Sequence, residues 1–222
     1  MTYGLAASES VEAGTRIPNA RHESRTWRVR EIVPDFTLED AWALPVDGGA
    51  EDFEKVLELM ASSDPANADS VAARALWRLR DRLGRWFSLG RISTPSAADG
   101  AGGLPIPGTS ETSLAGRLPD DLRGTATGVD FGSLPFEPLY RTDDEFAAEV
   151  SNQTVHGVMH LGWVDHGEGR YSGEMAVYVK PRGSFGRGYM ALIKPFRYWI
   201  VYPALMRQFE RTWNRAQAGR NA

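Results

Sequence analysis

PFRYWIVYPALMRQFERTWNRAQ, residues 195–217, decides the fold. Trp199, Tyr202, Met206, Phe209 and Trp213 recur in it at steps of three and four, the spacing that brings side chains to one face of an α-helix. The stretch predicts a long amphipathic helix from about Pro195 to Gln217, with one proline in its first turn and Pro203 as a kink. An aromatic side chain buries about 150–250 Å². Five large residues therefore hide about 1,000 Å², a gross transfer energy of about 25 kcal/mol. Such a stripe needs an apolar surface to lie on.

The preceding residues supply one. Residues 153–164 place Val155, Met159, Leu161 and Trp163 on one strand face, and residues 170–180 alternate Tyr171, Met175, Val177 and Val179 with Glu174, Tyr178 and Lys180. Shorter strands are expected at 139–140 and 145–152. Residues 185–194, apolar on both faces, read as a covered central strand after a turn at GSFGRG, residues 183–188. Upstream, Trp27 and Val29 suggest a strand over 25–31, and residues 35–46 a second extended stretch closed by Asp47-Gly48-Gly49. Two helices follow. The first, 51–62, carries Phe53, Val56, Leu57 and Met60; the second, 69–87, sets Ala72, Leu76, Leu79, Leu83 and Trp86 against Arg74, Arg78, Arg82 and Arg85. Residues 1–24 read as a flexible arm, and the Gly/Pro/Ser-rich residues 91–113 as a flexible insert in one domain spanning 25–217. The expected class is α+β, with a curved antiparallel sheet wrapped around a long C-terminal helix.

At 222 residues, 42% hydrophobic and 24% charged, the chain can close one sizeable core. Its net charge of −4 argues against nucleic acid as a partner. With no cysteine there are no disulfides, thiol nucleophiles or thiolate metal sites. The most apolar stretch, 189–206, is interrupted by Lys194, Pro195, Arg197 and Pro203, so no membrane span is expected. The N-terminus lacks a basic region followed by an apolar run, which leads to an expectation of a cytoplasmic protein.

LYRTDDEFAAEVSNQTVHGVMHLGWV (139–164), GYMALIKPFRYWIVYPALMRQFERTW (188–213) and LPDDLRG (118–124) resemble DUF2867, a bacterial family of unknown function. Members are similar to the START-like, or polyketide-cyclase-like, SRPBCC superfamily. That resemblance implies a helix-grip fold with an apolar cavity between sheet and C-terminal helix. It brings no catalytic residues to carry over, and the superfamily includes carriers, receptors and cyclases alike.

The residues themselves suggest binding of a small apolar or aromatic molecule, lined by Met159, Trp163, Tyr171, Met175, Tyr189, Trp199, Tyr202, Met206 and Phe209, without cofactor. The alternative is a cyclase, dehydratase or isomerase acting on a polyketide-like substrate in the same cavity, with Tyr171, Tyr189, Asn152 and His156 as candidate polar groups. His156 and His160 share the strand face opposite Met159, Leu161 and Trp163, about 13 Å apart along the backbone, too far for one zinc ion. They are expected to be exposed or edge-packed, and no metal site is expected. Asp143, Asp144, Glu145 and Glu149 read as solvated residues at the head of a strand.

Overall fold

A computed structural model describes residues 12–62, 113–126, 128, 136–151 and 155–219. The predicted helix 69–87 and nearly all of the 91–113 insert lie outside the described residues, as does Asn152. The elements run β1 (Arg16–Ile17), α1 (Asn19–Glu23), α2 (Val29–Ile32), β2 (Thr37–Gly48), α3 (Phe53–Ser62), β3 (Glu137–Arg141), β4 (Glu145–Ser151), β5 (Val155–Asp165) and β6 (Tyr171–Pro181). Then α4 (Gly183–Phe196), a π-turn (Arg197–Val201) and α5 (Tyr202–Ala218) follow without interruption. The strands form one antiparallel sheet in the order β1-β2-β6-β5-β4-β3. The molecule is α+β, as the alternation in β5 and β6 and the stripe in α5 require.

Three local expectations change. Residues 25–31 form no strand: Trp27 precedes α2, whose Val29 and Ile32 are buried. Residues 12–24, expected within an arm, contribute β1 and α1, with Gly14 N–H donating to the Ala43 carbonyl at 2.9 Å. Residues 185–194 lie in α4 instead of a strand. Met, Ala, Leu and Lys in this stretch are strong helix formers, and Gly183, at φ +62°, makes the left-handed turn that leaves β6 directly into a helix.

The sheet is covered on both faces. On one, Trp42, Leu44, Val46, Phe146, Met159, Leu161, Trp163 and Met175 pack against α3 and against Tyr202, Met206, Phe209 and Trp213 of α5. On the other, Ala41, Ala147, Val158, Ala176 and Tyr178 lie under a thin second layer made by Trp27, Val29, Ile32, Val33, Leu114, Leu118 and Leu122. Two-sided burial explains why β4 and β5 are buried along almost their whole length.

Trp27 marks how tightly the outer layer sits. A Cβ built on Gly162 would lie 2.7 Å from Trp27 Cη2, and that ring is confined by His160 at a centroid distance of 5.1 Å. Gly162→Ala is expected to lower the free energy of unfolding by about 1–3 kcal/mol through overpacking. Urea denaturation would measure this, and an unchanged midpoint would show that the outer layer gives way freely.

Candidate functional site

The C-terminal helix is built around a defect. Pro195 and Pro203 lack the N–H that would bond to the carbonyl four residues earlier, and each ring crowds that carbonyl. Between them the chain widens into the π-turn. A π-turn spends an extra residue, so side chains before and after it no longer share a face. Tyr202, Met206, Phe209 and Trp213 keep the predicted stripe and are buried. Trp199 is rotated away and is 80% exposed, which removes it from the predicted lining.

β2 has its own defect opposite the helix. Leu38 pairs with Tyr178 and Asp40 with Val177, so Glu39 is an extra residue in a β-bulge. The bulge resets the alternation: Leu38 packs on the outer face, while Asp40 reaches the helix side. Bulge and π-turn meet. Glu39 pairs with Lys194 at 2.9 Å. Asp40, 0% exposed, accepts from Trp42 Nε1 at 3.2 Å, Tyr202 Oη at 2.8 Å and Arg197 Nη2 at 3.1 Å. Arg197 Nη2 also donates to Tyr202 Oη. Three aromatic rings surround the pair, with centroid distances of 4.5 Å for Trp42–Tyr202 and 6.1 Å for both Trp42–Tyr198 and Tyr198–Tyr202.

The electrostatics follow from burial and pairing. Burial alone would lower the Arg197 pKa, but Tyr202 and Asp40 hold the guanidinium charged. Burial, with the adjacent Asp40, pushes the Tyr202 phenol far above its ordinary range, so it stays a proton donor. The hydrogen bond to Glu39 raises Lys194.

Of the predicted lining residues, Met159, Trp163, Met175, Tyr202, Met206 and Phe209 join one apolar cluster between sheet and α5. Tyr171 is half-buried and stacks on Trp163 at 6.2 Å, but its hydroxyl is tied to Asp165 at the β5–β6 turn, 3.3 Å away. Tyr189 falls in α4, and its side chain lies outside the described set. Asp40, Trp42, Arg197 and Tyr198 were missed. Their signal was charge set in apolar stretches: the pair Glu39-Asp40 within LEDAWALPV and Arg197 within PFRYWIV.

The histidines depart furthest from expectation. His156 and His160 are fully buried, because the outer face that the alternation assigned to solvent carries the second layer. His156 Nε2 lies 2.8 Å from Glu149 Oε2, and Glu149 also receives the Ser113 hydroxyl and the Leu114 amide, the latter at 3.1 Å. His160 Nε2 meets Glu145 Oε2 at 3.1 Å, and that carboxylate also accepts from Tyr140 Oη at 2.7 Å and the Arg28 amide at 2.9 Å. His22 of α1 bonds Glu174 through Nδ1 and lies 3.0 Å from Tyr178 Oη through Nε2. Arg25 Nε stands 3.4 Å from Glu174 without hydrogen-bond alignment. Glu145 and Glu149, expected in solvent, are therefore the anchors that pin Arg28 and residues 113–114 to the sheet, while Glu174 holds His22. Tyr140 and Tyr178 are both pushed up by burial, which disqualifies them as ready nucleophiles. This array is enclosed and each of its carboxylates holds several partners, although His160 Nδ1, Arg25 Nε and Trp27 Nε1 are buried without a hydrogen-bond partner among the described residues. The bulge junction, which joins charge to aromatic surface beside the methionine-rich interior, is the better functional candidate.

Fold and site together define an α+β protein whose described strands form one six-stranded antiparallel sheet with a long C-terminal helix packed on one face. The DUF2867 profile, described as a protein of unknown function, matches residues 32–204, and the chain belongs to that family. The match runs from α2 through the π-turn into α5 and so contains both halves of the junction. No curated protein and no solved structure matched the chain. Among the described residues, no helix is long and apolar enough to cross a membrane.

Proposed function

We propose that this protein is a helix-grip binding module, holding a small apolar or aromatic molecule between the sheet and the C-terminal helix. The carrying observation is the junction itself, where a β-bulge faces a π-turn and both irregularities converge on Asp40, Arg197 and three aromatic rings. Bulges and π-turns distort regular elements at a cost and cluster at functional sites. Three further features support the reading. The first long strand pairs with the last, and a long helix then crosses the sheet, as a helix-grip chain would run. The interior is rich in methionine, with Met159, Met175 and Met206 against Trp42, Trp163 and Phe209, a soft lining that adapts to a guest. The polar groups are few and grouped at one end.

The enzymatic alternative has one observation in its favour, a tyrosine hydroxyl in the apolar interior at Tyr202. Burial, however, pushes its pKa so high that it is a weak proton donor, and it is already committed to Asp40. Asp40 in turn accepts from three donors and is a poor base. Binding is therefore the stronger reading. Protein purified from its native host is expected to carry a co-purifying small molecule in native mass spectra. Nile red should bind saturably at about one per chain and be displaced by an organic extract of that protein. Bare protein in repeated spectra, together with no saturable dye binding, would refute the proposal.

A further inference from the structure

We infer that the molecule held at this junction is an organic acid, an aromatic or apolar body bearing a single carboxylate that sits against Arg197. The inference rests on the binding reading above and names the chemistry of its ligand. Arg197 is locked in place through Nη2 alone, by Asp40 and Tyr202. Its Nε and Nη1 have no partner among the described residues, and the side chain keeps 15% of its surface exposed. The Tyr198 hydroxyl, on a ring that lies against Trp42 and Tyr202 with Lys194 nearby, is buried and has no aligned hydrogen-bond partner among the described residues. A buried hydroxyl in that condition calls for an acceptor.

The surrounding charge calls for the same thing. Arg16 stands over the Tyr198 ring at 5.0 Å, and Lys194 Nζ lies 5.8 Å from the same centroid. With Arg197 they make three cations against two carboxylates, Glu39 and Asp40, in a chain whose overall charge is −4. The local surplus is one positive charge. A carboxylate neutralises it. A phosphate monoester, at about −1.5 to −2, would leave an uncompensated charge in a partly buried site. A cationic ligand meets repulsion, and a neutral one leaves the arginine donors unused. The Trp42, Tyr198 and Tyr202 rings offer faces to an aromatic or apolar body.

The test titrates the full chain, preloaded with Nile red, with 1-naphthoic acid, methyl 1-naphthoate and 1-naphthyl phosphate. The acid is expected to displace the dye at about tenfold lower concentration than its ester, the size of one hydrogen bond to a charged group, and to outcompete the phosphate. Equal displacement by acid and ester overturns the acid inference and leaves the binding reading standing. A stronger phosphate overturns the carboxylate assignment. Absence of saturable dye binding overturns both. The acid-to-ester ratio is expected to fall to about one in the double variant Asp40→Asn/Arg197→Met, which removes both buried charges together. Arg16→Gln changes an exposed residue and tests the charge surplus without disturbing the core; a two- to threefold drop in the ratio is expected at roughly 10 mM salt, where screening is weak. An unchanged ratio in both variants overturns the inference.

Discussion

Arg197→Met should cost about 3–5 kcal/mol of stability, because it leaves the Asp40 carboxylate buried without a countercharge. Asp40→Asn should cost a similar amount by stranding the guanidinium. The double variant Asp40→Asn/Arg197→Met removes the charges as a pair and should cost clearly less than the sum of the singles, and less than either single if the apolar replacement packs. In a domain of this size a loss of 3–5 kcal/mol lowers the melting temperature by about 6–20 °C. Thermal melts of the four proteins close the cycle. Additive losses would mean that the pair is not coupled and that the bulge and π-turn are held together by packing alone.

Acid should destabilise the protein from its outer face. His160 is 0% exposed, and burial lowers its pKa below the ordinary value despite the neighbouring Glu145. The folded chain therefore resists a proton that the unfolded chain accepts near pH 6.5, so stability falls as pH drops through that value. Glu145 moves the same way by a different balance. Burial would raise its pKa, but His160, the Arg28 amide and Tyr140 bring it below 4.5, so its stabilisation is lost as pH falls below the ordinary glutamate value. Each proton taken up preferentially by the unfolded chain costs about 1.4 kcal/mol per pH unit. Urea titrations between pH 7 and 4 should show stability falling from about pH 6.5 and steepening below about 4.5. His160→Gln should flatten the upper part of that fall. His166 is shifted in the same direction, chiefly by burial, but it sits on the exposed β5–β6 turn, where solvent screening leaves it a small share. An unaltered slope in His160→Gln would place the acid-sensitive group elsewhere.

Much of the architecture was legible because the signals were long. The stripe from Tyr202 to Trp213 and the alternation of β5 and β6 each repeat often enough to overrule local exceptions. What escaped was short or depended on counting by one. The inserted residue in β2 and the extra residue in the π-turn each shift the register of a face, so Leu38 lies on the face opposite Asp40 and Trp42, and Trp199 turns outward against the extrapolated helical period. Two prolines eight positions apart hinted at a disturbed helix, but a kink and a π-turn cannot be told apart from proline alone. The buried histidines escaped for another reason. A strand pattern reports that its two faces differ, not whether a second layer covers the polar one. That layer is assembled from scattered leucines at 114, 118 and 122 and from a four-residue helix, none of them periodic enough to announce a surface. Once it is present, a polar outer face must be hydrogen-bonded throughout, and Glu145, Glu149 and Glu174 meet the three histidines. The site was half legible: the apolar lining followed from the stripe, whereas its charged end was visible only as two ions in apolar neighbourhoods.

The sheet order carries a consequence for how the chain is made. β3 to β6 form a meander of sequential neighbours, but β2, flanked on one side by the two-residue β1, finds its long partner only in β6, with Trp42 beside Met175. During synthesis the early strand leaves the ribosome with Trp42, Leu44 and Val46 uncovered and only the two residues of β1 beside it until β6 and the helix that follows have emerged. The newborn polypeptide thus passes through a prolonged interval in which an apolar strand is bare, and chaperone demand should peak there, ending when β6 and the helix after it can close over β2.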